Sequence, residues 1–137
     1  DLKPHVDKNF RVKTDREFTG IGGSSMGGLI SLYAGFHHNH VFGNMMIFSP
    51  SIWISEQVFK QATHFNPSGF TKIYLYSGGQ ESHSLKPSMD FLGAILKNRE
   101  QKTGQIDIME SHNPEGTHQE YFWGQEFPKA LSWLYSN

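Results

Sequence analysis

Residues 21–29 read Ile21-Gly22-Gly23-Ser24-Ser25-Met26-Gly27-Gly28-Leu29, and the reading of this stretch decides the fold. Gly23-x-Ser25-x-Gly27 has the G-x-S-x-G pattern of a nucleophile elbow, in which a strand ends, the chain turns sharply and a helix starts at once. The serine sits in a strained conformation with its hydroxyl proud of the sheet. The glycines two residues either side have a steric explanation, since a side chain there would collide across so tight a turn. A pattern this short needs its flanks. Glu17-Phe18-Thr19-Gly20-Ile21 reads as a short buried strand, placed at about Phe18 to Gly22, and Leu29 to Phe36 reads as an apolar helix running to about His38. That is the strand, turn, helix order the pattern requires, against the alternative of an ordinary glycine-rich turn.

Upstream, residues 1–16 are polar and without a clear period, which suits a short helix or loop and carries no chemistry. Downstream, the cluster His37-His38-Asn39-His40 could suggest a metal site. It reads better as a solvated helix end, because histidines suit the helix C-terminal dipole and no acidic ligand lies nearby. Gly43 to Phe48 is a continuous apolar run of the kind found in strands buried on both faces. Ser49-Pro50-Ser51-Ile52-Trp53-Ile54 follows its carboxyl end, where open parallel sheets bind ligands, so Trp53 either lines a pocket or covers the core. Ser55 to His64 reads as a helix with Val58, Phe59 and Ala62 inward, and Thr71 to Ser77 as a third strand. Leu85, Met89, Leu92 and Leu96 recur at helical spacing, with Gly104 as the stop. Ile106 to Glu110 alternates as a fourth, outermost strand, and a loop Ser111 to His118 leads into a last helix whose Phe127, Leu131 and Leu134 share a face. Pro128 should kink that helix or start a new turn. Strand and helix alternate four times, which means an α/β fold: a parallel sheet of about four strands with crossover helices.

The composition narrows the function. The 137 residues carry 12 Lys+Arg against 13 Asp+Glu, a near-neutral balance that suits one soluble domain and offers no charge argument for nucleic acid or an anionic membrane. With no cysteine, thiolate catalysis, disulfides and cysteine-ligated metals are excluded. No apolar run approaches the roughly 18 residues of a membrane span, and Asp1-Leu2-Lys3-Pro4-His5 has no signal-peptide character. The compartment stays unassigned, and no cofactor or metal is called for.

A serine hydroxyl is a poor nucleophile at neutral pH and needs a base within hydrogen-bond reach, itself oriented by an acid. For a nucleophile elbow the chain order is Ser, acid, His. Glu81 follows the third strand by a few residues in a glycine-softened turn and is the preferred acid, whereas Asp90 falls inside a helix and Glu110 inside a strand. His112 and His118 both qualify as base by position. His118 is favoured because Gly116-Thr117-His118 lies directly against the last helix, with a glycine to let the backbone swing the ring toward Ser25.

Asp15-Arg16-Glu17, Gly22-Gly23-Ser24-Ser25-Met26-Gly27-Gly28, Val41-Phe42-Gly43, Phe48-Ser49-Pro50-Ser51-Ile52-Trp53 and Gly116-Thr117-His118 with Trp123 five residues on together resemble the Putative esterase family of α/β-hydrolases. That family includes esterase D-type S-formylglutathione hydrolases, enterobactin-type siderophore esterases, feruloyl and acetylxylan esterases and mycolyltransferases. The resemblance implies Ser25 as nucleophile, Glu81 as acid and His118 as base, with the N–H of Met26 as one oxyanion donor and Ser24 and Trp53 near the substrate. It also implies the second half of the full fold, strands five to eight, with the N-terminal half and the second oxyanion donor elsewhere. The substrate implied is a small-molecule or carbohydrate-linked ester. Acyl transfer to an alcohol would use the same residues, and a third alternative is a non-catalytic esterase-like interaction module. A strand Phe18 to Gly22 taken from the middle of a sheet has an unpaired edge, so it is expected to be paired with another chain, covered by residues 1–16, or associated with a second copy.

Overall fold

The computed structural model describes residues 2–136. Helix α1 (Leu2–Asn9) and a 3₁₀ turn (Arg16–Phe18) precede β1 (Gly20–Ser24), α2 (Met26–His37), β2 (Asn44–Phe48), a second 3₁₀ turn (Ile52–Ile54) and α3 (Gln57–His64). Then come β3 (Thr71–Gly78), α4 (Leu85–Thr103), β4 (Ile106–Asn113) and α5 (Glu120–Tyr135). The four strands form one sheet in the order β1-β2-β3-β4, and every neighbouring pair is parallel. The α/β class and the parallel sheet expected from the sequence are both present.

Side chains alternate across a strand, and the two central strands, β2 and β3, are covered on both faces. Met45, Ile47, Ile73, Leu75 and Ile106 join Leu32 of α2, Val58 and Ala62 of α3, and Leu85, Met89, Leu92 and Leu96 of α4 in the larger core. The residues between them, Met46, Phe48, Tyr74 and Tyr76, pack with Trp123, Ala130 and Leu134 of α5 on the opposite face. The helical spacing of α4 ends at Gly104, which adopts φ 63° and donates its N–H to the Glu100 carbonyl at 2.8 Å, a left-handed stop that glycine enters without penalty.

Several boundaries differ from the sequence reading. The first strand begins two residues late because the N–H groups of Phe18 and Thr19 bond back to Asp15 and Arg16, and the ladder opens only with Gly20 opposite Asn44. Strand β4 runs on through Asn113, so His112 is a strand residue opposite Ser77 and not part of a loop. Helix α5 continues through Pro128 without a break. Its buried residues are Trp123, Glu126, Ala130 and Leu134; Phe127 and Leu131 do share a face with Leu134, but are about half exposed and line a groove of about 460 Å³ beside β1. No residue from 2–16 lines that groove, and α1 buries none of its residues.

Arg16 ties the amino-terminal turn to the entrance of three strands. Its guanidinium donates to the carbonyls of Asn39 (2.9 Å), Phe70 (2.8 Å) and Phe42 (3.3 Å) and to Thr71 Oγ1 (2.9 Å), while its own carbonyl accepts from the Gly43 N–H at 2.9 Å. Burial lowers the guanidinium pKa, but arginine keeps its proton at any ordinary pH all the same. We expect Arg16→Met to lower stability by about 2–3 kcal/mol, the scale for losing hydrogen bonds from a charged donor, measured by urea unfolding.

On the α5 face, Glu126 is 2 % exposed and accepts from Tyr74 Oη at 2.6 Å and Lys129 Nζ at 2.9 Å. Burial pushes its carboxyl pKa up, but the hydrogen bonds from Ser111, Tyr74 and Lys129 outweigh it and hold the group below its ordinary value of 4.5. Burial and the same carboxylate push the Tyr74 phenol up to about 12. A depressed carboxyl contributes stability that is present above its unfolded pKa and drains away as the pH falls through the folded one. Glu126→Gln should therefore melt below wild type at pH 7, with the gap narrowing as the pH is taken from 4.5 downward in parallel thermal scans.

Candidate active site

Parallel strands present all their carboxyl ends along one edge, which is where open α/β sheets place their ligands. Here Ser24, Phe48, Tyr76 and Ser111 form a register row across the four strands, and the groups of interest lie just beyond it. Ser25 follows β1, Ser49 and Ser51 follow β2, Glu81 follows β3 and His118 follows β4. Four segments far apart in sequence thus deliver one side chain or more each to the same place.

Ser25 stands between the last residue of β1 and the first of α2 at φ 55°, ψ −119°. For a residue with a Cβ this is a sparsely populated conformation, costing about 1–3 kcal/mol. Its N–H bonds to the Phe48 carbonyl at 3.0 Å, its own carbonyl accepts from the N–H groups of Leu29 and Ser51 at 3.1 Å each, and these ties hold the turn. Only half of the steric reading of the glycines holds. A Cβ on Gly23 would come within 2.7 Å of the Gly27 backbone, but one on Gly27 would meet nothing within 4 Å. The close approach on the far side falls to Gly28, where a Cβ would meet the Phe48 and Gly23 carbonyl oxygens at 3.1 and 3.2 Å, because the first turn of α2 lies directly on the end of β2.

Ser25 Oγ lies 2.9 Å from His118 Nε2, and His118 Nδ1 lies 2.6 Å from Glu81 Oε2. A carboxylate only accepts, so Nδ1 carries the ring proton and Nε2 is left to accept from the serine. Glu81, with a side chain 1 % exposed, has its other oxygen filled by the Gly78 N–H and the Ser49 hydroxyl, each at 2.6 Å. The Ser49 oxygen in turn accepts the indole N–H of Trp123 at 3.1 Å. The Trp123 ring meets the His118 ring edge to face with centroids 4.8 Å apart, so one tryptophan braces both His118 and the serine that holds Glu81. Ser49 is at φ 44°, and among the described residues it and Ser25 are the non-glycine positions with positive φ. Both strained residues fall in the site, which is where such strain is usually found.

Gly116 acts differently from the sequence reading. It does not take up a left-handed conformation; a Cβ there would strike Tyr76 Oη at 2.6 Å and the Gly78 Cα at 3.0 Å. The bare backbones at Gly78 and Gly116 let the segments after β3 and β4 touch, and Gln80 seals them with its N–H on the Gly116 carbonyl at 2.8 Å. That contact brings Glu81 and His118 within reach of each other.

His112, Asp90 and Glu110 lie elsewhere. His112 points its Nδ1 at the Ser77 carbonyl, 3.0 Å away on the neighbouring strand. Asp90 pairs with Lys86 and Glu110 with Lys97. Met26 opens α2, so its N–H is free of an intrahelical partner and stands beside Ser25. Its side chain heads an apolar cleft of about 250 Å³ lined by Leu29, Ile30, Tyr33 and Val58. Trp53 is 55 % exposed, with its ring centroid 6.3 Å from that of His118, and Ser24 lines the groove between β1 and α5. The sequence reading gave no role to Ser49, Ser51 or Trp123. The signal available for the serines was their place just past the carboxyl end of a buried strand; nothing in the sequence marked the indole as a hydrogen-bond donor to one of them.

Among the described residues no helix is long and apolar enough to cross a membrane. The arrangement can be set beside known proteins. The chain is 23 % identical over 142 residues to the uncharacterized protein YbbA of Bacillus subtilis, covering 96 % of this chain and 55 % of that one, so it spans about half the length of that relative. Among solved structures it resembles the BES protein from Bacillus cereus (TM-score 0.81, 22 % identity, 98 % of this chain and 52 % of the other). It is similar too to the enterobactin esterase FES from Shigella flexneri (TM-score 0.83, 23 % identity, 98 % of this chain and 34 % of the other). These likenesses show an α/β-hydrolase fold. Residues 1–134 match the family described as Putative esterase, and the chain belongs to that family.

Proposed function

We propose that this chain carries the catalytic serine, histidine and carboxylate of a serine hydrolase acting on carboxylic esters, with a small-molecule or carbohydrate-linked ester as substrate. The observation that carries the reading is the unbroken path from Ser25 Oγ through His118 to the buried Glu81 carboxylate, with separations of 2.9 and 2.6 Å. In this reading the turn at Ser25 is a nucleophile elbow. Oγ attacks the ester carbonyl carbon as its proton passes to His118 Nε2, and the carbonyl oxygen becomes an oxyanion within reach of the Met26 N–H. The imidazolium then returns the proton to the departing alcohol, which leaves an acyl group on Ser25. Water, deprotonated by the same nitrogen, attacks that acyl group; collapse breaks the bond to Oγ, which takes back the proton and releases the acid. Glu81 keeps the ring in the tautomer that accepts from serine and offsets its charge when it is protonated. Exposed Trp53 and the cleft headed by Met26 give the non-reacting part of the substrate two apolar surfaces to rest on.

A fluorophosphonate probe tests the reading without requiring turnover, because it captures an activated serine in one covalent step. The expected result is a single adduct on the peptide that contains Ser25. A folded chain that takes up no probe, or takes it up on another serine, would overturn the assignment.

A further inference from the structure

Ser25 Oγ has a second polar neighbour that the proposed chemistry has not yet used. Ser51 Oγ lies 3.2 Å from it, and the Ser51 N–H bonds to the Ser25 carbonyl at 3.1 Å, so the two serines are clasped through backbone and side chain together. Ser51 is 1 % exposed. The direction of the hydroxyl contact follows from the network around it. Glu81 fixes the proton of His118 on Nδ1, Nε2 accepts from Ser25, and Ser25 therefore has no proton left for Ser51. Ser51 must be the donor.

We infer that Ser51 is a further catalytic residue, whose hydroxyl donates to the nucleophile oxygen and stabilises the charge that gathers there each time the Oγ–H or Oγ–acyl bond breaks. The inference rests on the esterase reading above. During attack, the Oγ proton moves to His118 while one Oγ lone pair forms the new bond to the carbonyl carbon. The other lone pair is held by Ser51, which fixes the direction of attack as well as bearing part of the charge. When the acyl-enzyme is hydrolysed, Oγ leaves the tetrahedral carbon with the bonding electron pair, and it departs toward two donors, the His118 imidazolium and the Ser51 hydroxyl. No proton is transferred from Ser51 at any stage. Its contribution is that of one neutral hydrogen bond made stronger as the acceptor charges, worth about tenfold in rate.

The test is the rate of fluorophosphonate labelling of the 137-residue chain as a function of pH, for wild type, Ser51→Ala and Ser51→Thr, with a thermal melt of each. Ser51→Ala should label about tenfold more slowly across the whole profile at an unchanged melting temperature, since the hydrogen bond it removes is made to Ser25 Oγ and not to His118. Ser51→Thr keeps the hydroxyl and should recover to within about twofold of wild type. If the added methyl unfolds that variant, Ser51→Cys decides: a rate between wild type and alanine supports the donor role, and a rate equal to alanine overturns it. Ser51→Ala labelling within twofold of wild type, or a folded Ser51→Thr as slow as alanine, also overturns it while leaving the esterase reading intact. Wild type that fails to label at Ser25 at all would overturn both.

Discussion

Ser25→Ala is expected to lower ester hydrolysis roughly 10⁴-fold or more and to abolish fluorophosphonate labelling, with the fold left in place. The size follows from the position of the hydroxyl at the end of the hydrogen-bond path. In the proposed mechanism Glu81 and His118 activate nothing once the oxygen that makes the covalent bond is gone, so the three groups fail together and the residual rate is that of binding and oxyanion contacts alone. Stability should not suffer. The backbone bonds that hold the turn, from the Ser25 N–H to Phe48 and from Leu29 and Ser51 to the Ser25 carbonyl, involve no side-chain atom of Ser25. Alanine at φ 55° bears about the same strain as serine. The measurement is initial hydrolysis of an aryl acetate, with near-wild-type circular dichroism as the control. A variant that kept a tenth of the activity would exclude Ser25 as the nucleophile.

The sheet was legible in the sequence because its two central strands are largely apolar and the long helix that follows β3 has a clear period. Leu85, Met89, Leu92 and Leu96 announce α4 and face the core, and Met45 to Phe48 can only be a strand covered on both sides. Where the reading slipped, the chain used backbone groups that pattern does not reveal. Phe18 is apolar enough for a strand but spends its N–H on a 3₁₀ turn, and Ser111 and His112 look like loop residues yet extend β4 because the far end of β3 offers them a ladder. Phe127 and Leu131 have the spacing of a core face but look out over the open side of β1. The site divides in the same way. Residues defined by a chain-order rule, Ser25, Glu81 and His118, could be nominated one by one, whereas Ser49 and Trp123 join the site only through hydrogen bonds that span 32 and 74 positions. Gly78 and Gly116 show why spacing could not have foretold that: what matters is that two loops touch, and the contact exists only after β3 and β4 are paired.

The second large effect separates the two histidines that chain position left in competition. His118→Ala is expected to cost about as much as the serine change, roughly 10⁴-fold in kcat, while His112→Ala stays within about threefold of wild type. The reasoning is geometric. His118 Nε2 sits 2.9 Å from the Ser25 oxygen, with its other nitrogen held by a buried carboxylate. His112 bonds to the Ser77 carbonyl from within β4 and could approach Ser25 only by breaking the strand. Glu81→Gln should fall between them. The amide still offers an oxygen to Nδ1–H, but it brings no charge to offset the imidazolium, and one of its ends must face either the Gly78 N–H and Ser49 hydroxyl or the ring N–H with a donor of its own. In the proposed mechanism the carboxylate stabilises the base without joining the covalent chemistry, so a loss of about 10²- to 10⁴-fold is expected, read from kcat with KM little changed. If His112→Ala proved the more damaging of the two histidine changes in a folded protein, the base would have to be reassigned, and the path from Ser25 to Glu81 would lose its claim to be the catalytic one.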